Sequence, residues 1–493
     1  MPTLAELEAV ARGAPPPPLQ APDRERIAAA RAVVDAAVAA DRTVYGVTTG
    51  FGHLSGVHIP PADAAQLQVN LVRSHAVGSG EPLEPELVRG MLLLLGASLA
   101  RGHSGVRVEL VELVHALLER DVLPAIPSRG SVGSSGDLAP LAHLALVLIG
   151  EGEAIVEGRR LPGGDALRRA GLEPLALTAK EGLALINGTH LMAAAGGLAV
   201  RDARRVLDAA IIACALSLEA FKGSTVPFDA RLHDVRRHPG GCAVATRLRA
   251  LLDGSPVVAS HADCGRVQDP YTLRCAPQVL GAVADALDYV EAAFERELQA
   301  VTDNPLVFPD DGEVLSGGNF HGQPLSLPLD HLALALCELA SFSERRTFAL
   351  LSPGYAELPP FLTPQPGLSS GLMIAQYAAA ALVNECQVLA HPAGAGSIPT
   401  SAGQEDFNSM GAWAALKART VVAHAAHVVA TELVCACQGL EFHRPLRTTD
   451  ALEAALARVR DIVPRIEEDR SIAGELAALA TALRKSESFL QNR

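Results

Sequence analysis

The chain has 493 residues, of which 49% are hydrophobic but only 4% aromatic, and it carries a formal net charge of −14 at pH 7. An acidic chain without runs of Lys and Arg is not expected to bind nucleic acid or an anionic membrane surface. Its core must be built mainly from Ala, Leu and Val. Because Ala and Leu favour helices, the predicted fold class is mainly α.

Two further features concern the cellular compartment. The eight cysteines all lie between Cys214 and Cys437 and do not form the dense pattern of a small secreted domain, so reduced thiols are expected. The N-terminal sequence MPTLAELEAVARG lacks the basic and apolar regions of a secretory signal. No run of eighteen uncharged apolar residues is visible, and a cytoplasmic location is predicted.

The first 40 residues predict a short helix and, from about Asp23, a second Ala-rich helix. A Gly- and Thr-rich segment follows, VYGVTTGFG from Val44 to Gly52. Three glycines in such a loop suit a backbone that approaches a ligand, and Tyr45 is then able to project into a cavity. The alternative is that Tyr45 is an ordinary half-buried tyrosine of a loop.

The segment from Gln66 to Gly80 reads as a helix ended by glycine. Leu67, Leu71 and His75 follow one another at a spacing of four, so His75 continues an apolar stripe towards the interior. A single histidine in that position is either a buried core residue or a ligand contact.

The segment from Gly130 to His143, GSVGSSGDLAPLAH, combines three glycines with small residues just before an apolar helical run. The nitrogen of Gly136 is able to attack the carbonyl carbon of Ser134, and loss of water from Ser135 would then leave an alkene on a five-membered ring. The alternative is a flexible loop that caps a helix, with Asp137 in its first turn.

A small strand-bearing segment is predicted at 150–161, and Asn187 ends the apolar run EGLALING. From about residue 190 onward the pattern is of long amphipathic helices with Gly and Pro between them, as in a helical bundle. We therefore predict an N-terminal lobe over residues 1–197, which carries the Ser134-Ser135-Gly136 loop, and a long-helix bundle and oligomerisation body over residues 198–493.

Within that body, Asp269-Pro270 predicts the start of a helix. Gln268, Tyr271 and Arg274 are spaced by three, so all three are expected on one helical face. The planar guanidinium of Arg274 is suited to a carboxylate, although an ordinary structural ion pair is the alternative.

Five segments together resemble the aromatic amino acid ammonia-lyases, and they occur in the order VYGVTTGFG, the Gly130–His143 string, EGLALING, QDPYTLRCAPQVLG and SIPTSAGQEDFNSMG. That family contains histidine, phenylalanine and tyrosine ammonia-lyases and related aminomutases. The resemblance extends from about residue 40 to 480. It implies an elongated helical bundle with a loop-rich N-terminal catalytic lobe. It also implies a homotetramer whose active sites are lined by more than one chain.

The resemblance also implies a cofactor made from the chain, a 4-methylidene-imidazol-5-one formed autocatalytically from Ser134, Ser135 and Gly136. No metal or external cofactor is then required. By the same resemblance Tyr45 is the base for the substrate's β-proton. The residues that it implies around the electrophile and the substrate carboxylate are Asn187, Gln268, Tyr271 and Arg274.

The substrate is indicated by the residues implied for the ring pocket, which are Ser74, His75, Phe320 and Glu405. Ser-His at positions 74 and 75 is the pairing associated with histidine lyases, which also tend to carry a carboxylate where Glu405 stands. Since an imidazole ring has one donor and one acceptor nitrogen, His75 and Glu405 together favour L-histidine as substrate, with trans-urocanate and ammonia as products.

Three positions depart from the usual histidine-lyase pattern. Ser134 replaces an alanine, His190 replaces a glutamine, and Phe407-Asn408 replaces a His-Val pair. Alternatives within the family are a tyrosine or phenylalanine ammonia-lyase and an aromatic 2,3-aminomutase. An alternative of another class is an inactive relative that acts as an assembly module.

Overall fold

The structure is a computed structural model that describes residues 2–262, 265–354 and 356–486. Most of these residues are helical, and the strands among them have at most four residues each, so the prediction of a mainly α fold is confirmed. The chain forms two compact units. The first consists of Met1–Leu198, Ala292–Leu329 and Pro392–Leu416, and the second of Ala199–Glu291, Asp330–His391 and Lys417–Arg493. The division into two lobes at residue 197 stays a prediction.

Eight helices lie wholly in the N-terminal segment of the first unit. They are α1 Leu4–Ala11, α2 Ala21–Ala39, α3 Ala64–His75, α4 Pro85–Leu99, α5 Val108–Glu119, α6 Leu138–Leu148, α7 Gly163–Arg169 and α8 Glu181–Ile186.

All seven described strands also belong to the first unit. They are β1 Ser79–Pro82, β2 Leu123–Pro124, β3 Pro127–Arg129, β4 Glu153–Val156, β5 Arg159–Pro162, β6 Leu306–Phe308 and β7 Glu313–Leu315. They pair antiparallel, β1 with β3, β6 with β7, and β2, β4 and β5 as a three-stranded sheet. The β4–β5 hairpin is the small strand-bearing segment that the sequence predicted.

Four long helices contain points at which the chain passes from one unit to the other. They are α9 His190–Ala220, α14 Ala276–Glu297, α15 Gln323–Leu351 and α17 Gly411–Glu441. The remaining helices belong to the second unit. They are α10 Ala230–Arg236, α11 Pro239–Leu252, α12 Pro256–Ala259, α13 Tyr271–Arg274, α16 Met373–Leu389, α18 Asp450–Ile462 and α19 Ala473–Lys485.

By length and composition, α15 and α17 would each be long enough and apolar enough to cross a membrane. The most apolar window of α15 is 67% buried within the fold, and that of α17 is 78% buried. Burial of this kind is what the core helix of a globular protein shows, because its apolar residues pack against neighbouring helices.

Helix α3 shows how the sequence positions the site. Gln68, Leu71 and Val72 are buried along one face, and the helix ends at His75. Inside the fold, the Gln68 amide donates to the carbonyl oxygen of Gly46 at 3.1 Å and its oxygen accepts from the N–H of Leu183 at 2.9 Å. One buried side chain therefore ties α3 both to the Gly- and Thr-rich segment and to α8.

Candidate active site

The loop before α6 is shaped by a close approach of two backbones. Gly136 has a φ of +73°, and a Cβ at this position would lie 2.2 Å from the carbonyl oxygen of Gly188. The same oxygen accepts the backbone N–H of Asp137 at 2.8 Å. Because a side chain would collide with this backbone, position 136 requires glycine.

Asp137 anchors the loop to the first turn of α9. Its Oδ2 accepts the backbone N–H groups of Leu191 and Met192 at 2.9 and 3.0 Å, and its Oδ1 accepts the Ser131 hydroxyl at 2.8 Å. Complete burial raises the pKa of Asp137 to about 6, although these donors act in the opposite direction. The carboxylate thus satisfies two donors at a helix N-terminus and fixes the loop there.

The other end of the loop is held by two segments that are distant in sequence. The carbonyl oxygen of Gly133 accepts the Ser409 hydroxyl at 2.6 Å and the N–H of Gly322 at 2.9 Å. The N–H of Met410 donates to the carbonyl oxygen of Val132 at 2.8 Å. The loop is therefore fixed at both ends within the first unit.

The two serines between these anchors have different surroundings. Ser134 is only 4% exposed, and its hydroxyl has no hydrogen-bond partner among the residues that the structure describes. Ser135 lies on the wall of a cavity and donates from Oγ to Glu405 Oε1 at 2.8 Å. Ser135 is therefore the member of the triplet that faces the cavity.

The cavity in front of Ser135 has a volume of about 480 Å³ and lies entirely in the first unit. Six residues singled out from the sequence line it, namely Tyr45, Ser74, His75, Ser135, Asn187 and Glu405. Leu67 and Leu71, the other members of the predicted stripe on α3, line it as well. Residues more than 300 positions apart thus meet in one cavity large enough for an amino acid.

Tyr45 is half-buried in the wall. Its hydroxyl oxygen accepts the backbone N–H of Gly52 at 3.1 Å, and its ring meets that of Phe51 edge to face at a centroid distance of 6.4 Å. Since the oxygen is the acceptor in this bond, the hydroxyl proton remains available for another partner.

His75 has a defined tautomer in this environment. Its Nδ1 lies 2.8 Å from the carbonyl oxygen of Leu71, and because a carbonyl only accepts, Nδ1 carries the proton. Burial lowers the pKa of His75, which favours the neutral ring. Nε2 is then a hydrogen-bond acceptor.

Glu405 is held on a short loop by its neighbours. Its Oε2 accepts the Thr400 hydroxyl at 2.6 Å, and its backbone carbonyl accepts the N–H of Thr400 at 2.9 Å. Asn408, fully buried, donates from Nδ2 to the carbonyl of Ile398 at 2.5 Å and to Thr400 Oγ1 at 3.1 Å. Asn408, one of the departures from the usual pattern, therefore supports the segment that carries Glu405.

Asn187 follows α8 directly and is 4% exposed. Its Nδ2 donates to the carbonyl oxygen of Asn304 at 3.0 Å, whereas its Oδ1 is buried without a hydrogen-bond partner within the described ranges. An unpartnered amide oxygen on a cavity wall is suited to a donor group of a ligand.

Gln268, Tyr271 and Arg274 belong to the second unit and do not line this cavity. Tyr271 is 68% exposed, and the guanidinium of Arg274 lies 4.6 Å from the centre of its ring. The expectation of one shared helical face was wrong for Gln268, because α13 begins only at Tyr271, after Pro270. Arg274 Nε is buried without a hydrogen-bond partner in the described part of the chain.

Phe320 lies in the first unit, half-buried, but is not a residue of the cavity wall. The sequence interpretation also missed residues that are in that wall, among them Asn70 and Ser401. Asn70 stands four residues before Ser74 on α3, so helical spacing was the signal that could have revealed it. Its Oδ1 accepts from Gln66 Nε2 at 2.8 Å, which leaves its amide N–H groups as donors at the cavity.

The family profile that matches this chain is that of the aromatic amino acid lyases, and it covers residues 3–461. A histidine ammonia-lyase of Anaeromyxobacter sp. (strain K) is 52% identical over 97% of the chain and 96% of its own length. A histidine ammonia-lyase of Deinococcus radiodurans is 54% identical over 94% of the chain and 88% of its own length.

Solved structures agree with this result. The crystal structure of histidine ammonia-lyase from Trypanosoma cruzi matches with a TM-score of 0.91 and 44% identity, covering 98% of this chain and 92% of that one. A tyrosine aminomutase from Streptomyces globisporus matches with a TM-score of 0.93 and 35% identity, covering 99% and 96%. The two neighbours have nearly equal backbone similarity, so the fold by itself does not distinguish their substrates.

Proposed function

The chain belongs to the aromatic amino acid lyase family, and from this premise we propose that it is a carbon–nitrogen lyase that eliminates ammonia from L-histidine to give trans-urocanate. The assignment of L-histidine as substrate rests on the presence of His75 and Glu405 in one cavity with Tyr45 and Ser135. Relatives named histidine ammonia-lyase at about half identity support it.

The elimination needs an electrophile, because ammonia is a poor leaving group and the β-proton is scarcely acidic. A 4-methylidene-imidazol-5-one formed from Ser134, Ser135 and Gly136 would supply it. The residues present fit this group. Gly136 has no Cβ to obstruct its nitrogen, Ser134 contributes only its carbonyl and a buried side chain, and Ser135 faces the cavity.

The chain's own residues then bind and move protons. We assign removal of the β-proton to Tyr45, whose oxygen is held in the cavity wall by the N–H of Gly52 at 3.1 Å. The bare Oδ1 of Asn187 is suited to an N–H of the substrate's amino group. Leu67, Leu71 and Phe51 exclude water from the apolar side of the cavity.

The ring is recognised by acceptors and one donor. His75 Nε2 and the carboxylate of Glu405 are both acceptors, so, contrary to the expectation from the sequence, these two residues do not satisfy both ring nitrogens. One of them accepts the imidazole N–H, and the Asn70 amide supplies a donor for the other ring nitrogen. A phenyl ring would leave these groups unpaired on burial, at about 1–3 kcal/mol for each.

The substrate carboxylate still needs a cation. We propose that Arg274, assisted by Gln268 and Tyr271, supplies it from a second copy of the chain, with Phe320 completing the pocket in a homotetramer. The exposed Tyr271 and the unpartnered Nε of Arg274 support an arrangement in which these residues act on another chain's cavity.

A cytoplasmic location is also proposed, supported by the seven described cysteines, all of which are free thiols.

The deciding experiment is a substrate panel on the purified protein. Ultraviolet absorbance follows the acrylate products of L-histidine, L-tyrosine and L-phenylalanine, and histidine is expected to have the highest kcat/KM. A higher kcat/KM for tyrosine or phenylalanine would overturn the substrate assignment but not the family.

A 2,3-aminomutase is the second candidate, favoured by the backbone similarity to the Streptomyces globisporus tyrosine aminomutase. Chromatography of the products separates a β-amino acid from an acrylate.

Intact mass tests the remaining alternative, an assembly module without activity, since such a chain would not have lost the two waters that leave when the electrophile forms.

A further inference from the structure

One hydrogen bond in the cavity connects the loop that would form the ring with a carboxylate that is far away in sequence. Ser135 donates from Oγ to Glu405 Oε1 at 2.8 Å, across 270 positions of the chain. Glu405 is held in this position because Thr400 donates to its other oxygen at 2.6 Å. A hydroxyl that must leave as water is thus hydrogen-bonded to a fixed acid–base group.

Loss of water from Ser135 requires two proton transfers. The proton on Cα must be removed, and the oxygen on Cβ must receive a proton, because hydroxide is a poor leaving group. A positioned carboxylate is able to perform both transfers, since Oγ and Cα are separated by a single carbon atom.

We infer that Glu405 is the acid–base group that dehydrates Ser135 during maturation, an inference that rests on the proposed function. The carboxylate takes the proton from Cα, and the electron pair of that C–H bond becomes the Cα=Cβ bond. The Cβ–Oγ bond breaks with its electrons on oxygen. The carboxylic acid just formed gives its proton to this oxygen, which leaves as water, and Glu405 is again a carboxylate.

The neighbouring groups are less suited to this step. The Nδ1 proton of His75 is engaged with the carbonyl of Leu71, and burial lowers the pKa of that ring. Tyr45 lies in the same wall, but its oxygen accepts from Gly52. Among the described residues, Glu405 is the titratable group with a hydrogen bond to the Ser135 hydroxyl.

The step also explains how one carboxylate serves two purposes. While Ser135 is intact, both oxygens of Glu405 have a hydroxyl donor, one from Ser135 and one from Thr400. Departure of the Ser135 oxygen removes the first donor and leaves Oε1 as a free acceptor in the cavity. Maturation therefore prepares the acceptor that we assign to the substrate's ring.

The test is the intact mass of the full-length chain, sampled over time after cell-free synthesis. Wild type is expected to lose two waters. Glu405→Gln keeps the size of the side chain and an acceptor oxygen, but its amide neither takes up nor releases a proton as a carboxylate does. It is expected to lose the second water about 100-fold more slowly and so to remain heavier by one water.

His75→Leu is the matched control, since it changes the same wall but removes no hydrogen bond to Ser135 or Glu405, and it should mature like wild type. Thr400→Val keeps the carboxylate and should slow the loss of the second water only partly. It tests the Ser135–Glu405 contact even if circular dichroism shows that Glu405→Gln does not fold. If Glu405→Gln or Thr400→Val loses water as fast as wild type does, the inference is overturned and the proposed function remains intact. A wild-type chain that loses no water would overturn the proposed function instead.

Discussion

The backbone N–H of Asp137 donates to the carbonyl oxygen of Gly188 at 2.8 Å, and this contact brings the loop before α6 against the turn that ends α8. At that distance residue 136 has no room for a side chain, because its Cβ would lie 2.2 Å from the same oxygen. The position of Ser135 on the cavity wall therefore depends on the absence of one carbon atom.

Gly136→Ala should abolish ring formation. The added methyl group collides with backbone rather than with a flexible side chain, so the loop must move, and a displacement of this kind lowers kcat by about 100-fold or more. Intact mass should show that the waters are retained, and absorbance should show the loss of urocanate formation.

Gly158→Ala is the matched control for this change. Gly158 has the same φ of +73°, but a Cβ there would meet nothing within 4 Å. It should lose only about 1–2 kcal/mol of unfolding free energy through backbone strain and keep its activity. If both variants behave alike, positive φ and not the contact with Gly188 is what matters at position 136.

His75→Leu should change the substrate preference. Removal of the Nε2 acceptor leaves the imidazole N–H with one partner fewer, and kcat/KM for histidine is expected to fall by about 10- to 100-fold. The value for tyrosine should change much less or rise. His58→Leu, an exposed histidine outside the cavity, should leave both values unchanged. A parallel fall for histidine and tyrosine would show that His75 has only a structural role.

His190 should make the protein less stable in acid. Burial lowers its pKa from 6.5 to about 4, and its Nε2 has no hydrogen-bond partner among the described residues. Between these two values the unfolded chain binds more protons than the folded one, so unfolding free energy falls as pH falls from 6.5 to about 4. The slope is at most about 1.4 kcal/mol per pH unit.

The comparison for this prediction is His190→Gln, which carries the usual residue of histidine lyases. Urea unfolding of both proteins, at one concentration and at about pH 5 and about pH 7.5, isolates the histidine. Asp137, whose pKa is raised to about 6 by burial, changes stability in the opposite direction but is present in both proteins. Wild type should lose more stability between the two pH values than His190→Gln. Equal losses would mean that His190 does not titrate in this range.

The proposed sharing of active sites between chains predicts complementation between inactive variants. Tyr45→Phe and Arg274→Lys should each be nearly inactive alone. Coexpressed, they form mixed oligomers in which some sites combine a native Tyr45 from one chain with a native Arg274 from another, and part of the activity should return. Light scattering should report a tetramer for each. No recovery in proven mixed oligomers would place Tyr45 and Arg274 of each site in the same chain.

The helical class, the family and six of the site residues that line the cavity can be predicted from the sequence alone. Composition predicts helices because Ala and Leu favour them locally, and the spacing of Leu67, Leu71 and His75 predicts the cavity-facing side of α3. Such features depend on neighbours a few positions away, so they are readable along the chain.

Contacts between groups that are distant in sequence become visible in the folded chain. The contact of Ser135 with Glu405 and the capping of α9 by Asp137 follow from packing between segments that no local pattern relates. Hydrogen bonds and steric exclusion act over only a few ångströms in space. That proximity is created by the whole fold and not by position in the sequence.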